Sequence, residues 1–509
     1  MRKLLILLAC LSAALAHAQK NLPWRKLQMA EFAIASLYVD SVDEDKLVEE
    51  AIIRMLATLD PHSLYSSPEE VRQLNEPLQG NFEGIGIQYN MLQDTLFVIQ
   101  TIAGGPSEKA GILPGDRIVM ANDTSIAGVK MATEEIMRRL RGPKGSKVNL
   151  KVKRPGSKAL LSFTVKRGRI PIHSIDAAYL IQEGTGYIRL NRFASATPKE
   201  FSKALSQLQE EGMESLILDL RGNGGGYLGT AIDIANEFLD SRQMIVYTEG
   251  RESPKKEFHA KGNGRFRKGR LAVLIDEYSA SASEIVAGAL QDWDRAVIIG
   301  RRSFGKGLVQ RPVNLPDGSM IRLTVARYYT PAGRCIQKPY ANAKDYGNDL
   351  TNRLRHGELA HADSIHLADS LQYATLKRRR TVHGGGGIMP DCFIPLDTTY
   401  FTPYYRQLRD KGILLQTYVE QWEQHRKEWQ DEYPDARSYI ASFEVPADML
   451  RRLVQKGEEN GIPFREEDYR LSLPLIQQHL KALLARDLWG MEAYFQVINQ
   501  TDDAISKAL

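Results

Sequence analysis

Between Tyr187 and Ile299 short apolar runs alternate with segments of helical spacing, and this alternation constrains the fold more than any other feature of the 509-residue chain. Tyr187 to Leu190 reads as a strand. Thr197-Pro198-Lys199-Glu200 is a capping box with proline at the first helical position; it predicts a helix running to about Glu211 and stopping at Gly212. Leu216 to Leu220 reads as a buried strand entering the turn Arg221-Gly222-Asn223-Gly224-Gly225-Gly226, and Leu228 to Leu239 as the next helix. Met244 to Thr248, Leu271 to Ile275 and Val297 to Ile299 add strands, with a helix over Ala282 to Gln291. Repeated β-α-β units imply a largely parallel sheet with helices packed on it.

The chain is too long for one hydrophobic core, and at about 100–200 residues per domain three or four units are expected. A net charge of +5 is small against 67 basic and 62 acidic side chains, so nothing argues for nucleic acid. The densest basic run, Lys377 to Arg380, reads as a solvated loop. The first residues combine a basic start, an apolar run and the small-residue ending Ala16-His17-Ala18, the pattern of a secretory signal peptide cut after Ala18. The apolar run continues past Cys10 to Leu15, which argues against lipoprotein processing at Cys10. No later stretch approaches the ~20 apolar residues of a membrane helix, so the expectation is an exported protein, periplasmic or associated with the outer face of a membrane. Cys335 and Cys392 are too few for a disulfide framework; a single bridge and two free thiols both stay open.

The expected organisation is a signal peptide (1–18), an N-terminal helical region (19–79), a β-rich module (80–168), an α/β core (169–400) with a polar, aperiodic insertion or mobile loop (332–383), and a C-terminal helical region (401–509). In the first of these regions apolar residues recur at helical spacing from Leu27 to Leu59, as two helices joined near Asp40. Asp60 and His62 beside Pro61 read as a turn cap rather than a catalytic pair. The C-terminal helices, with Trp422, Trp429 and Trp489 as anchors, carry no motif that suggests a function.

In the β-rich module, Gly84-Ile85-Gly86-Ile87, Pro106-Ser107-Glu108-Lys109-Ala110-Gly111-Ile112 and Pro114-Gly115-Asp116-Arg117-Ile118 resemble a PDZ domain of the kind found in bacterial proteases. A glycine-rich turn can aim successive N–H groups at one carboxylate, and an exposed strand edge can pair with an extended peptide. The resemblance makes Gly84 to Ile87 the carboxylate loop and Ile85, Ile87, Ile136 and Leu140 candidates for the apolar pocket. These four side chains could equally fill the module's own core.

The chemistry concentrates between Asp276 and Gln310. The glycine turn Gly222 to Gly226 lacks the Lys-Ser/Thr of a P-loop and the spacing of a dinucleotide turn, but it can present N–H groups to a developing oxyanion. Ser281-Ala282-Ser283-Glu284 fits a capping box, so Ser281 is either a helix cap or a nucleophile placed where free N–H groups and the helix dipole favour negative charge. A serine hydroxyl needs a base, and lysine serves only when neutral. Lys306, in Phe304-Gly305-Lys306-Gly307-Leu308, sits in an uncharged setting that suits that role. No His-Asp partner stands in a comparable context, and no HExxH is present.

Ser279 to Glu284, the Phe304-Gly305-Lys306-Gly307 turn, Gln310 and Asp219 to Gly226 together resemble the carboxyl-terminal processing, or tail-specific, serine peptidases over roughly Tyr38 to Pro395. The resemblance implies a multidomain α+β chain: a crotonase/ClpP-like peptidase core with an inserted PDZ domain and helical ends. It makes Ser281 the nucleophile, Lys306 the general base and Gln310 the residue orienting that base. It puts the oxyanion donors at the backbone N–H of Ala282 and of Gly224 or Gly225. It implies a serine endopeptidase acting on proteins with apolar C-termini, with no metal or cofactor, and makes a homodimer through the N-terminal helices an option. The rivals are a noncatalytic PDZ scaffold or chaperone with a decayed core, and an acyl-CoA enzyme on the same architecture.

Overall fold

The computed structural model describes residues 22–92, 94–366 and 368–509. The signal sequence and Cys10 lie outside them. The chain divides into two compact units: one takes the described residues up to Val71 with 310–325 and 340–346, the other 72–309, 326–339 and 347–509.

In the first unit the two predicted helices are Leu22–Leu37 and Glu44–Ala57. Asp43 caps the second by accepting the Lys46 N–H at 3.1 Å. Asp60 then holds the following turn, accepting the N–H groups of His62 and Ser63 at 2.8 and 2.9 Å and the Ser63 hydroxyl at 2.6 Å. His62 Nε2 is hydrogen-bonded to the Tyr346 hydroxyl at 2.6 Å. Residues 64–66 pair antiparallel with 320–322. Helix Leu22–Leu37 buries none of its side chains, leaving Trp24, Met29 and Phe32 exposed.

The second unit contains the predicted α/β sheet. Its strands lie in the order Ile175–Gln182, Thr185–Leu190, Ser215–Asp219, Arg270–Ile275, Val297–Gly300, Cys392–Phe393. The first pair is antiparallel and the rest are parallel. Side chains alternate between its faces, as strand geometry requires. Ile188, Leu218, Val273 and Ile298 pack with helices Thr197–Glu210, Leu228–Asn236 and Ala282–Asp292. Tyr187, Ile217, Ala272, Leu274 and Ile299 pack on the opposite face with Phe495, Ala504 and Ile505 from the end of the chain. Burial on both faces explains why these strands read as continuous apolar runs. The helix predicted to Leu239 ends at Asn236, because the N–H groups of Glu237 and Phe238 bond three residues back and tighten the last turn.

The β-rich module is an antiparallel sheet ordered Ile87–Leu92, Thr95–Thr101, Arg117–Ala121, Lys147–Lys153, Leu161–Lys166, closed over a core that includes Ile118, Ile126 and Val148. Ile87–Leu92 is the edge strand.

The segment read as an aperiodic or mobile insertion is ordered. It contains helix Asp349–Arg355 and the paired strands Gln372–Ala374 and Thr381–His383. Its polar residues are buried because they pair. Arg353 is 3% exposed and Glu358 9%, and Glu358 Oε1 accepts from both Arg353 Nε and Arg302 Nε at 2.7 Å. Composition reports the charges but not their partners. In the basic run, Lys377, Arg378 and Arg379 are exposed as expected, while Arg380 is half-buried and paired with Asp294 and Asp391 at 2.7 and 2.6 Å. Cys335 and Cys392 are free thiols.

Candidate active site

Strand Arg270–Ile275 ends at Asp276, and helix Ala282–Asp292 starts six residues later with Ser281 as its N-cap. The carboxylate of Asp276 organises the turn between them. Its Oδ1 accepts the N–H groups of Tyr278 and Ser279 at 3.1 and 3.0 Å and, from the glycine turn, that of Gly222 at 2.9 Å. Burial pushes the Asp276 pKa up from its ordinary value.

The serines of the cluster have different surroundings. Ser279 and Ser283 are fully buried, their hydroxyls donated to the carbonyls of Leu220 and Asn223 at 2.9 and 2.8 Å. Ser281 is half-buried and stands at φ +55°, ψ −110°, a conformation that costs a side-chain-bearing residue strain. The capping box forms around it, with the Glu284 carboxylate accepting the Ser281 N–H at 2.7 Å.

The glycine turn packs directly on this junction. Asn223 accepts the Ala280 N–H at 3.0 Å through its carbonyl, and its side-chain amide donates to Leu190 O at 2.8 Å. A Cβ on Gly225, which sits at φ +102°, would lie 2.9 Å from Ser281 Cβ and 3.0 Å from Ala282 N, so only glycine allows this approach. The Gly225 N–H is donated to Asn223 Oδ1 at 2.9 Å. At the entrance to the turn sits Asp219, wholly buried. Burial opposes its charge, but Arg221 and Arg189 hold its pKa well below the carboxylate range.

The lysine turn meets the serine junction at Glu284. This side chain is 0% exposed and takes four donors: Oε2 accepts from Ser281 N and Lys306 N at 2.7 and 2.9 Å, and Oε1 from Ser303 Oγ and Gly305 N at 2.6 and 2.7 Å. The Tyr328 hydroxyl, on the same two backbones, is within hydrogen-bond reach of Ser281 O at 3.2 Å and also contacts Lys306 O. Gly305 and Gly307 let residues 337–338 come close: Gly307 N–H donates to Gln337 Oε1 at 2.8 Å, and a Cβ on Gly307 would lie 2.8 Å from Gln337 N. Behind this turn, Arg353 donates to the carbonyls of Arg302 and Ser303 at 2.6 and 3.2 Å.

The backbones of Ser281, Ala282, Gly225 and Lys306 therefore converge. Gln310 lies in the first unit, where its Nε2 is 3.4 Å from Thr324 Oγ1, itself 3.1 Å from Asp60 Oδ1. Sequence reading missed the tying roles of Glu284, Tyr328, Asp276, Arg353 and Glu358. Only Glu284 had a signal, its place in the capping box.

In the β-rich module, Gly84 to Ile87 form the connection between strand Asn81–Gly84 and the edge strand. Ile85, Ile136 and Leu140 are 3%, 0% and 2% exposed and belong to the module's core; Ile87 is half-buried against it. Among the described strands, Ile87–Leu92 pairs only with Thr95–Thr101, so its other edge is unpaired. Among the described residues no cluster of side chains could hold a metal ion, and no helix is long and apolar enough to cross a membrane.

Residues 184–343 match peptidase family S41, 84–166 a PDZ domain, 10–69 the N-terminal domain of the activating protease CtpB, and 404–490 a family of unknown function, DUF8443. The chain is 37% identical over 330 residues to the carboxy-terminal processing protease CtpB of Bacillus subtilis, covering 64% of this chain and 68% of that one. It is 41% identical over 298 residues to a carboxyl-terminal-processing protease of Synechocystis, covering 57% and 68%.

Proposed function

The chain belongs to the S41 family of carboxy-terminal processing proteases, serine-type peptidases with a PDZ domain, and on that premise we propose that Ser281 and Lys306 form its catalytic dyad. The observation that carries this reading is the single oxygen of buried Glu284 that accepts both the Ser281 and the Lys306 N–H, at 2.7 and 2.9 Å. Two loops far apart in sequence are thereby pinned to one atom.

In the proposed mechanism the Ser281 hydroxyl attacks the scissile carbonyl while neutral Lys306 takes its proton. The tetrahedral oxyanion receives the Ala282 N–H and one from the glycine turn. Commitment of the Gly225 N–H to Asn223 favours Gly224 as that donor. Lys306 hands its proton to the leaving amine, leaving an acyl ester on Ser281. It then deprotonates the water that attacks this ester and returns that proton to Ser281 Oγ as the new carboxyl terminus leaves. Gln310 orients the lysine amine.

The PDZ domain captures the apolar C-terminus of a substrate protein. The Gly84–Ile87 turn takes the carboxylate, the unpaired edge of Ile87–Leu92 takes the backbone, and Ile87 meets the last side chain over a floor of Ile85, Ile136 and Leu140. The protein is exported, and the exposed apolar side chains of helix Leu22–Leu37 suit a homodimer contact.

Ser281→Ala and Lys306→Ala should each abolish cleavage of a tailed protein without changing the melting temperature by more than a few degrees. Turnover should rise with pH as the lysine amine loses its proton. Full activity in either variant, or a rate flat from mildly acidic to alkaline pH, overturns the dyad.

A further inference from the structure

The helical region that matches only a family of unknown function touches the PDZ domain, and the helices that follow it touch the peptidase sheet. Strand Thr95–Thr101 of the PDZ domain, the neighbour of the edge strand, is buried on its two faces by different cores. Leu96 and Val98 point into the PDZ core. Phe97 and Ile99, 1% and 4% exposed, belong to the apolar cluster of the C-terminal helices, with Tyr418, Trp422 and Leu484. Around them Arg117 pairs with Glu423 at 2.8 Å, Arg426 donates to Pro114 O at 3.2 Å, and the Gln100 amide donates to the Asp487 carbonyl.

The residues that continue this region are anchored on the core. Helix Glu466–Trp489 has 24 residues, a rod of about 36 Å at 1.5 Å per residue. Past Gly490 the chain lies on the peptidase sheet: Arg189 stacks over Phe495 at 4.6 Å, and Glu492 accepts the Ala178 N–H at 3.2 Å. Asp502 pairs at 2.7 Å with Arg221, at the entrance of the glycine turn that packs on Ser281.

We propose that the C-terminal helices, residues 404–509, are a spacer that holds the PDZ domain at a set distance from Ser281, and so determine how many residues from its C-terminus a substrate is cut. This rests on the dyad and tail-capture reading above. With the tail held at one point and the nucleophile at another, the separation is spanned by extended chain at about 3.3–3.6 Å per residue. A PDZ domain free to swing by about 10 Å would spread the cut over about three residues. The spacer grips the strand behind the edge strand and, at Leu92, the end of the edge strand itself, while no described strand pairs with the peptide-binding edge.

The test maps cleavage positions by mass spectrometry on one substrate protein with an apolar tail and a set of linker lengths. The wild type should cut within a narrow window counted from the C-terminus. Phe97→Ser with Glu423→Arg, which removes the apolar plug and sets two cations face to face, should widen that window by about three residues or more, with turnover of a short tail-less peptide kept within twofold. Adding Arg117→Glu to Glu423→Arg should narrow it again. An unchanged window in the double variant overturns the spacer. So does rapid hydrogen exchange of Thr95–Thr101 in the wild type, a readout that does not depend on any variant folding. If the wild type cuts tailed and tail-less proteins alike, or if Ser281→Ala still cuts, the underlying reading fails instead.

Discussion

Two buried glutamates flank the serine and lysine loops and are held in opposite ways. Glu284, on the serine helix, meets only dipoles: three backbone N–H groups and the Ser303 hydroxyl. Glu358, from the polar segment after the core strands, lies between the guanidiniums of Arg302 and Arg353. Burial pushes the Glu284 pKa up, against the pull of its donors. Burial pushes Glu358 the same way, but Arg302 and Arg353 outweigh it and bring its pKa below the ordinary value. Dipoles offset the desolvation of a carboxylate only in part, whereas two full charges reverse it. One glutamate positions backbone at the site; the other neutralises the charges that back it.

Substitutions can break that contrast. The largest effect is expected from Glu284→Ala, which leaves the Ser281, Gly305 and Lys306 N–H groups without their acceptor at about 1–3 kcal/mol each. Loss of folded protein on thermal melting is the expected readout. Glu284→Gln keeps the shape but sets an amide among donors; kcat should fall about 100-fold, the scale of misplacing a reacting group by about 1 Å, with KM little changed. A kcat within twofold of wild type removes Glu284 from the positioning of the proposed dyad.

Glu358→Gln leaves two buried guanidiniums without their anion and should cost about 3–5 kcal/mol of stability by chemical denaturation, with a smaller fall in kcat than Glu284→Gln. The reverse order of kcat effects would mean that the lysine side, not the serine side, sets the geometry.

The pH dependences should have opposite signs. A raised folded pKa means that the stability from Glu284 is full below its unfolded value of about 4.5 and is lost as pH rises toward the folded value. Wild type should lose melting temperature relative to Glu284→Gln over that rise. A lowered folded pKa means that the stability from Glu358 is present above about 4.5 and is lost as pH falls through the folded value. Wild type should therefore lose its advantage over Glu358→Gln on acidification. Parallel slopes in the two pairs would refute the contrast.

Tyr328→Phe removes one hydroxyl from between the Ser281 and Lys306 carbonyls and should be the mildest change, about 1 kcal/mol in stability and a few-fold in kcat. No change in either would leave Glu284 as the tie that matters between the two loops.

What could be read without coordinates follows from local rules. The parallel sheet was legible because strands buried on both faces are continuous apolar runs separated by capped helices, as at Thr197-Pro198-Lys199-Glu200. The helix beginning after Ser281 was legible from its capping box. The polar segment 332–383 was misread, because Arg353 and Glu358 look solvated until their partners are known. Three of the four apolar PDZ candidates, Ile85, Ile136 and Leu140, share an identity that suits pocket and core equally, and the fold puts them in the core.

The sequence by itself determined the order of elements, the family, and the places of the serine cluster, the lysine turn and the glycine turn, since caps, glycines and alternation act over a few residues. Tertiary structure alone decided which atoms tie those turns together and that the C-terminal helices grip the second face of a PDZ strand. Both depend on burial, where hydrogen bonds and charges gain strength as water is removed, and burial is a property of the whole chain.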